Sequence, residues 1–164
     1  MDDFPRIGLV IRHLYLWRRE QIKGQEEGLK ARPCLVVHTK QNDFDETEVF
    51  ICPITHTPPH DSTQALEIPL PTKQRLHLDD DRSWIITNEV NRFTWKGTDV
   101  VNTEHGDKAY GYLPSGLIKA AINKVIEHNR QRGLNVINRD DPELLRQIRE
   151  RQLLAQARDD DRDR

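Results

Sequence analysis

Two stretches of the chain, "CLVV" from Cys34 and "VFICPI" from Val49, are apolar at every position. A strand with one wet face alternates; unbroken apolarity over so short a run means burial on both faces, and such strands belong at the centre of a sheet. The linker between them carries Asn and Asp, so the two runs can lie side by side as antiparallel neighbours.

Further short runs, "IGLVIRHLYLW", "ALEIPL" and "WIITNEV", each read as a strand, giving a mostly antiparallel, curled sheet from Ile7 to Trp95. After "YGYLP" the period changes. In "SGLIKAAINKVIEHNRQRG" the residues Leu117, Ile118, Ala121, Ile122, Val125 and Ile126 form one helical stripe, with Ser115 as its expected cap and Gly133 as its expected stop. A second helix, "PELLRQIRERQLLAQA", opens at Pro142 and runs into "RDDDRDR", expected to be disordered. Strands followed by helices predict a mainly β (α+β) fold: a small SH3-like β-barrel with a C-terminal amphipathic helix and an additional charged helical tail. The expected division is a barrel domain with its closing helix over 1–133 and the charged tail over 134–164.

With 164 residues, one core is enough. The net charge of -2 excludes a global basic field, but from Arg6 to Lys40 eight Arg/Lys stand against three acids, a local +5 that can attract phosphate. Cys34 and Cys52 sit inside apolar runs, where a thiol packs as a small hydrophobe, so reduced thiols and a cytoplasmic protein are expected. No apolar stretch approaches the ~20 residues of a membrane span, and "MDDFPR" lacks the basic start of a signal peptide.

Seven histidines invite a metal reading, with His56 and His60 four apart in "HTPPH". Pro58 and Pro59 forbid the helical turn that would put both on one face, and no ligand pattern completes a set, so no metal or other cofactor is expected. Asp79, Asp80 and Asp81 read as a solvated loop. Gly-rich phosphate loops, Gly-x-Ser-x-Gly elbows and Cys/His pairs at catalytic spacing are missing.

What remains is Arg32 just before one buried run and Thr55 just after the other. In antiparallel neighbours these positions share a rim. An arginine beside a hydroxyl can hold a phosphate and stabilise a pentacoordinate phosphorus. Guanidinium is a poor base, so proton transfer falls to a neighbour or to water, and His56 is the candidate auxiliary, although in an extended chain it points away from Thr55. The same pattern also describes an ordinary strand-edge charge and strand-end hydroxyl. Pro33 holds Arg32 extended and presets its side chain.

"KARPCLVV", "VFICPITHT" and the late "GYLP" with its amphipathic helix resemble the PemK/MazF-like toxins of type II toxin-antitoxin systems over about Ile7 to Asn129. The resemblance implies an SH3-like barrel, a homodimer, a cognate antitoxin, and metal-independent cleavage of single-stranded RNA through the ribose 2'-hydroxyl. It puts the family arginine and threonine on Arg32 and Thr55. Arg18, Arg19, Lys23 and Lys30, with Trp17 partly exposed beside them, are the expected RNA-binding residues, since basic side chains and open aromatic faces grip single strands. "TNEVNRF" departs from the usual family signature, so Asn88, Glu89 and Arg92 receive no catalytic role. A second reading is a non-catalytic module of the same fold acting by protein contacts, as gyrase-poisoning toxins do, through Leu144, Leu145, Ile148 and Leu153 of the tail. A third is a copy that has kept the fold and lost the chemistry.

Overall fold

The structure is a computed structural model that describes residues 5–18, 30–95 and 99–141, together with helical positions 146, 150, 153, 154, 157 and 158. Arg19 and Lys23, and Leu144, Leu145 and Ile148 of the tail, lie outside the described residues.

The two unbroken apolar runs form the centre of the sheet. Strand β2 (Ala31–Gln41) pairs antiparallel with β3 (Thr47–Thr55), and β1 (Leu9–Leu14) lies on the other side of β2. Pleating sends alternate side chains to two apolar layers. Val10, Leu35, Val37, Cys52 and Ile54 face one, and Ile11, Cys34, Val36, Val49 and Ile51 the other, so over the apolar runs both faces are covered. The neighbouring thiols of Cys34 and Cys52 thereby fall on opposite faces and stay free.

"WIITNEV" forms two strands where one was expected. Strand β3 turns from one partner to another along its length: Glu48 to Ile51 pair with β6 (Glu89–Thr94), and Ile54 and Thr55 with β5 (Trp84–Ile86). Strand β4 (Ala65–Glu67) edges β5 and stops early because Pro69 has no N–H to give the ladder. The chain then enters a short helix, α1 (Leu70–Arg75), with Pro71 in its first turn, so the end of "ALEIPL" is helix and not strand. Strands β7 (Val100–Val101) and β8 (Gly111–Tyr112) both pair with β1.

Helix α2 (Ser115–Arg130) closes one face, with Ala121 fully buried and Leu117, Ile118, Ile122 and Val125 packed around it. Ser115 is its first residue and Pro114 its N-cap, with no side-chain cap bond. Arg132, at φ +58°, takes the left-handed position expected of Gly133, whose N–H instead donates to the His128 carbonyl at 2.7 Å. The helix lies so close to β1 that a Cβ at Gly8 would stand 2.4 Å from Ile118 Cδ1.

Asn135–Asn138 form β9, which pairs in parallel with β6, so the chain re-enters the sheet where a separate tail was expected to begin. Among the described residues the nine-stranded sheet does not close into a hydrogen-bonded ring; its path runs β4-β5-β3-β2-β1-β7, with β6 and β9 branching from β3. Side chains bridge the gap instead. Asn91, fully buried on β6, receives the Leu16 N–H and donates to the Leu16 carbonyl at 2.9 and 2.8 Å. Arg139, just past β9, donates to the Leu14 carbonyl at 3.0 Å and pairs with Asp99. Among the described residues no helix is long and apolar enough to cross a membrane.

Candidate active site

The β2–β3 ladder ends at the Cys34–Pro53 pair, with Arg32 two residues before it on β2 and Thr55 two residues after it on β3. Both residues line one cavity at this end of the sheet. Arg32 lies with its guanidinium carbon 5.0 Å from the centre of the Trp17 ring, and its buried Nε has no hydrogen-bond partner among the described residues. Thr55 Oγ1 accepts the Thr57 N–H at 3.2 Å, which turns the chain out of the strand and leaves the hydroxyl proton to donate elsewhere.

Trp17 is 6% exposed, so it is no stacking surface for bases. It is a floor for Arg32, packed edge-on against Tyr15 in the layer that also holds Phe93. Trp84 and Phe93 are buried as well. Lys30 lines the cavity at this rim; Arg18 is exposed and its backbone N–H donates to Glu89 at 3.3 Å. Glu89 also accepts from the buried Tyr15 hydroxyl at 2.9 Å, and Arg92 pairs with Glu48 and Asn138. The departing "TNEVNRF" segment thus fastens strands together.

Arg32 and Thr55 open onto a cavity of about 620 Å³, which His56, His77, Asp79, Glu104, His105 and Tyr110 also line. Sequence reading missed all of these but His56. The Tyr110 hydroxyl donates to Glu104 at 2.8 Å, and Arg12 lies 3.4 Å from the same carboxylate. Burial works to raise the pKa of Glu104, but its backbone and tyrosine hydrogen bonds and the Arg12 charge hold it below the usual carboxylate value. Burial, then the bond to Glu104, pushes the Tyr110 phenol up.

His56 Nε2 lies 2.5 Å from Asp79 Oδ2, and Lys73 Nζ donates to Asp79 Oδ1 at 2.9 Å. Burial again opposes ionisation of Asp79, and the Lys73 hydrogen bond and the His56 charge outweigh it. His56, Asp79 and Asp81 bring ligand-type atoms within 4.8 Å of one another. The Lys73 ammonium already supplies a cation to this cluster. Burial pushes both cysteine thiols far above their ordinary range, which leaves no thiolate nucleophile in either apolar layer.

Behind Arg32, paired with it in the β1–β2 register, His13 is fully buried and stacks on Phe93 with ring centroids 4.7 Å apart. Burial first, and the nearby Arg139 charge second, lower its pKa from 6.5 to about 3. The unfolded chain therefore takes up a proton here below pH 6.5 that the folded protein refuses until about pH 3, and stability falls as pH falls through that window. From neutral pH to about pH 4.5 the expected loss is about 3 kcal/mol. Urea unfolding at both pH values measures it, and His13→Phe should lose less; an equal loss in the variant would assign the acid sensitivity elsewhere.

A search of curated proteins found no match to the chain. A family model described as "PemK-like, MazF-like toxin of type II toxin-antitoxin system" matches residues 13–99, more than half of the chain. The matched span runs from His13 on β1 to Asp99 before β7 and contains Arg32, Thr55, His56 and Asp79. The chain belongs to the PemK-like, MazF-like toxins of type II toxin-antitoxin systems.

Proposed function

We propose that the protein is a toxin endoribonuclease that cleaves single-stranded RNA without metal. Arg32 and Thr55 hold the scissile phosphate while the neighbouring ribose 2'-hydroxyl attacks it, giving a 2',3'-cyclic phosphate and a 5'-hydroxyl. The observation that carries this reading is the cavity of about 620 Å³ lined together by Thr55 and by Arg32, whose Nε has no hydrogen-bond partner among the described residues. That volume is of the order of ordinary ligand sites. The acids beside it, Asp79 and Glu104, are each engaged by a cation, Lys73 and Arg12, which leaves Arg32 and Lys30 for phosphate.

From the family come three further parts of the reading: the curled sheet is its SH3-like barrel, the protein works as a homodimer, and a cognate antitoxin holds it in check. Incubating the purified protein with mixed-sequence RNA in EDTA tests the activity. Cleavage at a restricted set of sites is expected, and intact RNA would refute it.

A further inference from the structure

Lys73 has no role in the chemistry proposed so far, yet its side chain is 2% exposed. An ammonium taken out of water costs several kcal/mol unless it is paired, and its partner here is Asp79. The geometry of the turn after α1 makes the pair. His77 adopts φ +56°, and the Leu78 N–H returns to the Lys73 carbonyl at 2.9 Å, so the chain doubles back and delivers Asp79 to the lysine. With one oxygen held by Lys73, the other fixes His56 at 2.5 Å.

A carboxylate on Nε2 keeps the proton there and fixes the ring. Nδ1 has no hydrogen-bond partner among the described residues, and His56 lines the same cavity as Arg32 and Thr55.

Resting on the nuclease reading, we propose that His56 is its general acid, protonating the 5'-oxygen as it leaves, with Asp79 and Lys73 as positioning residues. The 2'-oxygen forms a bond to phosphorus and its proton passes to water. The P–O5' bond breaks, its electron pair goes to O5', and the Nδ1 proton of the imidazolium follows. The ring then regains a proton from solvent. Besides Asp79, the titratable groups around His56 are Asp81 and, lining the same cavity, Lys30, Arg32, Glu104, His77 and His105.

The test compares an RNA with an ordinary 5'-oxygen at the cleavage site and the same RNA with a bridging 5'-sulfur, whose departure needs no proton. His56→Gln should cut the ordinary RNA about 10²- to 10⁴-fold more slowly and the sulfur RNA at close to the unmodified protein's rate. Arg32→Ala should lose both. Asp79→Asn should slow the ordinary RNA and leave the sulfur RNA close to full rate, and Lys73→Met should do the same with its fold checked by thermal melting. The general-acid assignment fails if His56→Gln cuts ordinary RNA at full rate, or is equally slow on both RNAs. Should the unmodified protein cut neither RNA, the nuclease reading itself falls.

Discussion

Replacing Arg32 by alanine should lower the rate of RNA cleavage by about 10²- to 10³-fold, the usual cost of removing one donor aimed at a developing oxyanion. The fold should survive it. Arg32 contributes to stability through its contact with the Trp17 ring, worth about 0.5–1 kcal/mol at a partly exposed site, and its Nε has no hydrogen-bond partner among the described residues. Single-turnover cleavage and a thermal melt on the same preparation separate the two effects. Arg32→Lys should recover little, because an ammonium lacks the planar fork that grips two phosphate oxygens. Full activity in Arg32→Ala would return this residue to an ordinary strand-edge charge and move the chemistry elsewhere.

The largest effect on stability is expected at Arg139, at the far end of the chain's sheet. Its side chain is 2% exposed, donates to the Leu14 carbonyl at 3.0 Å and pairs with Asp99, while its backbone N–H donates to the Arg92 carbonyl at 2.7 Å. Arg139→Ala strands the Asp99 carboxylate and should cost about 3–5 kcal/mol, the range for breaking a buried pair from one side. A chain ended at Gly133 loses β9 as well, with the bonds that Arg92 donates to Asn138 and Thr94 to Asp140. It should melt far below the full chain or fail to fold. Equal melting temperatures for the two chains would place the boundary of the folded unit at residue 133.

That boundary shows where sequence reading stops. The central strands were legible because burial on both faces leaves an unbroken apolar run, and the ends of those runs pointed to Arg32 and Thr55, which line one cavity. Strand β9 left no such mark: of its four residues Ile137 alone is buried, and its partner β6 lies far back in the sequence. Trp17 read as partly exposed beside two arginines, but Asn91 pins Leu16 to the sheet and draws the following ring into the core. Asp79 was hidden in an acidic run. Only the left-handed turn at His77 brings it to Lys73 and His56, and nothing in the local pattern predicts that turn.

The chemistry itself is read most directly from the ends of the products. RNA cut in EDTA by the purified protein should carry a 2',3'-cyclic phosphate on one fragment and a 5'-hydroxyl on the other, as mass spectrometry of the fragments would reveal. A 3'-hydroxyl with a 5'-phosphate would mean that water, and not the ribose, attacks the phosphorus, and would contradict the assignment of Arg32 and Thr55 to a 2'-hydroxyl mechanism.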